Sequence, residues 1–306
     1  MPYPDSGVVV GRTPGPSANS PFENTGRVVP SGNPRGPLGQ QDADPTQTKQ
    51  LKKLSEPSPV SNDLNWGILL IRHSLDLFEN NKDPEFSEVR QGGVHNCPLP
   101  AFLAAMVHTK TFSNKIKISE TKQKVKSTYS DKEAYPDSNK TSDLEKDETN
   151  RFFTVEFPGS QSAEVTDFLW SDKFSTITYA HSSKAALWVS LVEKAFVRRW
   201  VTGGYETLAD ANTGPDANTV IERLFGSADA VEVQTLQDAE LIALLTKAKT
   251  VPTIARSKAD DANLAHAYTV LGMDNGKIKL FNAINGKTDE RTLANFKTRF
   301  DYILYP

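Results

Sequence analysis

Gln91-Gly92-Gly93-Val94-His95-Asn96-Cys97 runs directly into an apolar stretch containing Leu99, Phe102, Leu103, Ala104, Ala105, Met106 and Val107. It holds the only cysteine of a 306-residue chain. A glycine-rich turn here delivers a thiol to the start of a helix expected to run from about Cys97 to His108. Pro98 and Pro100 fall in the first turn, where a missing N–H is tolerated. A helix start offers unpaired backbone N–H groups and the positive end of the helix dipole. Both favour the thiolate, the nucleophilic form. A lone buried cysteine is more often a small core hydrophobe, so partner residues must decide between the two readings.

Those partners lie late in the chain. Leu264-Ala265-His266-Ala267-Tyr268-Thr269-Val270-Leu271-Gly272 is followed by Lys277-Ile278-Lys279-Leu280-Phe281-Asn282. A single cysteine with a histidine and an asparagine far away in sequence is the arrangement of papain-like thiol enzymes.

Composition narrows the field. Net charge is −3, from 35 basic and 38 acidic residues, which gives no electrostatic case for nucleic acid or an anionic membrane. One cysteine forms no internal disulfide, and no Cys/His cluster has zinc-site spacing, so no cofactor is expected. No apolar run approaches the roughly 20 residues of a bilayer span. Gly7-Val8-Val9-Val10 is too short for a secretory h-region, so a Sec-type signal is not expected. The expected setting is cytoplasmic, or inside a target cell after delivery.

Residues 1–60 are dense in Pro, Gly and Ser and read as a disordered leader. A passive tail, a delivery signal, a propeptide and an arm docking a delivery apparatus or regulator share that composition. Residues 61–226 read as a helical, cysteine-bearing half. A helix is expected through Trp66, Ile68, Leu69, Ile71, Leu75 and Leu77, and the best helical pattern runs from Lys184 to Trp200. Further helices are expected at about Ala217–Phe225 and Leu236–Lys249. Phe152–Phe157 and Thr176–Ala180 read as strands, Lys115–Ile118 as a short strand, and the rest of 110–150 as solvated loop. Residues 227–306 read as an antiparallel half. Its strands are expected at Thr250–Ala255, Ala267–Gly272 and Lys277–Phe281, with a hairpin turn at Asp274-Asn275-Gly276. Phe296–Tyr305 is expected to close the sheet, and the site to lie between the halves.

Four blocks in this order resemble the calpain-type cysteine proteases. They are Glu88–Cys97, Trp188–Phe196 with Gly204–Leu208, His266–Gly272, and Lys279–Asn282. The resemblance covers roughly residues 60 to 300. It implies an α+β, papain-like two-subdomain fold and a cysteine endopeptidase acting on protein or peptide substrates. Carried over by position, Cys97 is the nucleophile, His266 its base and then acid, and Asn282 the residue that orients the imidazole. Gln91 falls where the family places its oxyanion-hole glutamine. The chain departs from the family in having Asn96-Cys97-Pro98 for Asp-Cys-Trp. Asn282 is followed by Ala283-Ile284-Asn285-Gly286 rather than Pro-Trp-Gly, so the shielding tryptophan is missing. The calmodulin-like and C2-like modules of large animal calpains have no counterpart in this length. The family core can itself bind calcium, but no acidic loop here matches its ligands.

A different class of reading stays open at this point: a delivered toxin or effector, or a binding module, with a calpain-like fold doing deamidation, acyl transfer or no chemistry. His95 reads as a loop residue or a tuner of Cys97; His73, His108 and His181 read as structural or surface histidines.

Overall fold

In the computed structural model, residues 56–65, 67–94, 96–127, 146–210, 214–259 and 265–306 are described. The leader up to residue 55, Trp66, His95 and the centre of the 110–150 segment lie outside them. The protein is α+β: eight α-helices and several antiparallel sheets occur among the described residues.

The central helix is Pro98–His108, and every residue from Leu99 to Val107 is buried. An all-round apolar helix must be covered on every side. One cover is a six-stranded antiparallel sheet. Its spatial order is Lys287–Thr292, Lys277–Asn282, Ala267–Asp274, Ile254–Ser257, Phe300–Tyr305, Asp229–Glu232. Pleating sends successive side chains to opposite faces. Ile254, Ala267, Leu271, Phe281 and Leu304 therefore join the core around the central helix. Their neighbours Ala255, Val270, Leu280 and Ile303 form a second core with helix Asp238–Lys247 and helix Leu293–Arg299. The edge strand Lys287–Thr292 is KTDERT, charged and largely exposed, which discourages further strand pairing.

The other cover is helix Trp188–Trp200, buried from Trp188 to Val197, together with three small sheets. The cysteine-bearing half is thus less helical than its sequence suggests. The segment expected to be a helix from Trp66 onwards instead forms a strand at Leu69–Arg72, paired with Phe168–Ser171, and a short helix, Ser61–Asn65, lies before it. Ile68-Leu69-Leu70-Ile71 is an uninterrupted apolar run, a pattern that periodicity cannot assign. The short strand expected at Lys115–Ile118 is instead a full strand, Lys117–Ser127, against Lys146–Phe157, extending well into the expected solvated loop. Thr176–Ala180 is not a strand. Only Ile177 makes a bridge, to Ser171, through Thr178 N–H donating to Trp170 O and Asp172 N–H donating to Thr176 O; the Thr178 carbonyl is then taken by Gly93 N–H, away from that strand. Phe296–Tyr305 splits into the end of a helix and a strand that inserts inside the sheet rather than closing it.

The described chain begins with a strap. Ser58 O accepts from Tyr205 N–H at 2.9 Å, Val60 N–H donates to Tyr179 Oη at 2.8 Å, and Trp170 Nε1 donates to Pro57 O at 2.9 Å. Glu56 forms an ion pair with Lys194 in which both side chains are buried. No described helix is long and apolar enough to cross a membrane.

Candidate active site

Cys97 caps the central helix with helical backbone angles and is partly buried. Its sulfur meets the strand of the six-stranded sheet that begins at Ala267, whose N–H donates to Sγ at 3.4 Å. One turn further along the helix, Thr269 Oγ1 donates to Ala101 O at 2.7 Å. Two bonds two residues apart on the strand thus fix helix and strand in register beside the thiol.

His266 precedes Ala267. Its backbone is clamped to Ser257, with Ser257 N–H donating to His266 O at 2.8 Å and His266 N–H to Ser257 Oγ at 3.0 Å. Its Nε2 lies 3.0 Å from Asn282 Oδ1. That oxygen also accepts from Ile284 N–H at 2.9 Å, in a turn closed by Gly286 N–H donating to Asn282 O at 2.8 Å. A side-chain oxygen already accepting from a backbone N–H is fixed as an acceptor. The proton therefore sits on His266 Nε2, and Nδ1 is left as the basic nitrogen.

Gln91 joins the group through its backbone: its N–H donates to Ala283 O, next to Asn282, at 2.9 Å. Its Nε2 donates to Val94 O at 2.8 Å, bracing the loop before Cys97 and leaving one amide hydrogen. The Arg90 guanidinium lies where a side chain on Gly286 would be, a second tie between the cysteine loop and the Asn282 turn. The fold brings all four sequence-predicted residues together through bonds made by them or by their immediate neighbours.

The electrostatics differ from expectation in one respect. Burial pushes the Cys97 thiol up rather than down, opposed by the N–H groups of Ala267 and Cys97 and by the Arg256 charge. The helix start contributes little. Pro98 and Pro100 have no N–H, Leu99 N–H is taken by Asn96 O and Ala101 N–H by Cys97 O. Burial also pulls the His266 imidazole down, with Asn282 opposing. Both shifts favour the uncharged forms at neutral pH, the thiol of Cys97 and the neutral imidazole of His266.

Three neighbours were not singled out in the sequence. Arg256 stands opposite Ala267 on the adjacent strand. Tyr268 sets its ring edge against His266 at 4.8 Å and is backed by Phe300 at 5.5 Å. It is two residues from His266 and so on the same sheet face, which alternation can reveal. Glu193 lies under Asn96. The other described histidines are structural. His73 pairs with Ser171 Oγ, His108 with Leu271 O and His181 with Tyr179 O. His95, considered as a tuner of Cys97, lies outside the described residues. Among the described residues no group of three His, Cys, Asp or Glu side chains is placed to hold a metal ion.

No family model matches the chain, and no curated protein matches it.

Proposed function

We propose that the chain is a calpain-like cysteine endopeptidase with a papain-like arrangement of helix and sheet. The observation that carries this is the His266–Asn282 bond at 3.0 Å, fixed by Ile284 N–H, beside a thiol seated on Ala267 N–H. A core cysteine has no use for an oriented, partly buried imidazole on the residue next to its N–H donor.

In this reading Cys97 Sγ attacks the peptide carbonyl carbon as its proton passes to His266 Nδ1. The carbonyl oxygen becomes an oxyanion held by Cys97 N–H and the remaining amide hydrogen of Gln91, each donor contributing about 3 kcal/mol. The C–N bond breaks as Nδ1 returns the proton to the amine, leaving a thioester on Cys97. Water, deprotonated by Nδ1, attacks the thioester; the C–S bond breaks as Nδ1 returns that proton to the Cys97 sulfur, and the carboxylic acid product departs and loses its proton to solvent. Because the thiol is pushed up and the imidazole down, His266 works as a general base during attack rather than as half of a standing ion pair. Asn282 and Tyr268 hold the imidazole in place.

The test is mass spectrometry of an unfolded protein mixture incubated with the parent and with Cys97→Ala. New peptide termini that depend on Cys97 are expected; the same termini in both samples would overturn the assignment.

A further inference from the structure

Glu193 is fully buried on helix Trp188–Trp200 and makes two side-chain bonds. Oε1 accepts from Asn96 Nδ2 and Oε2 accepts from Ala180 N–H at 2.9 Å. Asn96 immediately precedes Cys97, and its other amide atom, Oδ1, is buried without a hydrogen-bond partner. The Asn96 amide is therefore held by Glu193, and its peptide unit carries the Cys97 N–H.

We propose that Glu193 is a positioning residue for the thiol. Through Asn96 it sets the direction of the Cys97 N–H and side chain, and its own proton decides which way the Asn96 amide faces. This rests on the cysteine-peptidase reading above.

The chemistry follows from donor counting. An ionised carboxylate offers acceptors only, which suits its two donors, Asn96 Nδ2 and Ala180 N–H. A protonated carboxyl must donate once. Asn96 Oδ1, buried and without a hydrogen-bond partner, is the acceptor that reaches it when the amide turns over. The carboxyl thus has two satisfied states that differ in the Asn96 orientation. Among the described residues no charged group bonded to it fixes the choice. Tyr179 and Tyr205, stacked at 3.9 Å, are both kept neutral by burial, reinforced by Glu193 itself. Lys194, on the same helix, turns instead to Glu56 and to the Thr166 and Phe168 carbonyls. Burial pushes the Glu193 carboxyl up to about 7, so both states lie within reach near neutrality.

The readout is the rate of iodoacetamide alkylation, which reports Cys97 alone because no other cysteine exists. It is measured against pH for the full-length parent, Glu193→Gln and His266→Ala. Glutamine mimics the protonated carboxyl in offering an acceptor for Ala180 N–H and an N–H donor for Asn96 Oδ1, with one further amide hydrogen, so its fold is expected to match the parent in melting at acidic pH. The parent rate should show a step on the order of tenfold centred near the Glu193 transition, beyond the thiol's own ionisation. Glu193→Gln should lack the step, while His266→Ala should keep it at a lower overall rate. A Glu193→Gln profile superimposed on the parent's, with His266→Ala slowed, overturns the positioning role and leaves the peptidase reading standing. A rate that ignores His266 overturns the peptidase reading, and the proposal with it.

Discussion

Asn282 Oδ1 is shared between the imidazole of His266 and the backbone of Ile284, at 3.0 and 2.9 Å. The asparagine cannot turn over without exchanging an acceptor for a donor against a fixed N–H. A local turn thus does the orienting, and Tyr268 backs the ring where the expected tryptophan is missing.

Asn282→Ala removes both bonds but no buried apolar contact. Turnover is expected to fall on the order of tenfold to a hundredfold in kcat with KM little changed, because orientation of the base is lost and binding is not. Steady-state kinetics with one peptide substrate checks this split; a pure KM effect would contradict it.

The strap makes a cut at residue 60 differ from a cut at residue 55. Lys194 donates to Thr166 O, Thr166 Oγ1 and Phe168 O, but Glu56 is its ion-pair partner. Removing one member of a buried pair leaves an uncompensated charge, which costs about 3 kcal/mol or more, or roughly 10 °C in Tm. The chain starting after residue 60 should melt that much below the chain starting after residue 55. Equal melting temperatures would show that the strap contributes no stability.

Gly92 and Gly93 should respond oppositely to alanine. A Cβ on Gly92 would lie 2.2 Å from the Tyr179 carbonyl carbon and 2.4 Å from Thr178 O, all backbone, whereas on Gly93 its nearest neighbour is at 3.6 Å. Gly92→Ala is expected to destabilise by about 2 kcal/mol or more and to displace Gln91, and Gly93→Ala to be near neutral. Chemical denaturation of the two variants reads the difference.

Glu193 also sets a pH dependence of stability. Its folded carboxyl is raised from 4.5 to about 7, so between these values the folded state holds a proton that the unfolded state has lost. Stability from this group is greatest below the lower value and declines as pH rises to about 7. Glu193→Gln should match the parent in acid and exceed it in mild alkali, by up to about 3 kcal/mol. Parallel melting curves across the range would exclude the shift.

Much of this was legible in the sequence. Ala217–Phe225 is read to the residue because its punctuation is local: Asp216 accepts from Thr219 N–H at the start, and Gly226 takes φ 107° at the end. The hairpin at Asp274-Asn275-Gly276 carries its own turn chemistry, with Asn275 and Gly276 both at positive φ. Cys97, His266, Asn282 and Gln91 can be singled out in the sequence because each sits in a recognisable block. What stayed hidden depends on distant partners. Leu69–Arg72 is a strand only because Phe168–Ser171 lies beside it. The insertion of Phe300–Tyr305 between Ile254–Ser257 and Asp229–Glu232 is a tertiary choice that no local pattern encodes. Glu193 on an amphipathic helix reads as a solvated charge, and only the fold reveals that Asn96 covers it. The raised thiol is hidden because burial, a tertiary property, sets it, and because Pro98 and Pro100 remove donors that a helix start ordinarily supplies.

The central claim is that Cys97 and His266 act as one unit, with the imidazole drawing the proton from a resting thiol. The most direct measurement is the rate of iodoacetamide alkylation at neutral pH in the parent and in His266→Ala. The account predicts that the variant reacts on the order of tenfold more slowly at neutral pH and converges on the parent only where the thiol ionises by itself, above its ordinary value of about 8.5. Equal rates across the whole range would show that Cys97 is a core cysteine beside an unrelated histidine.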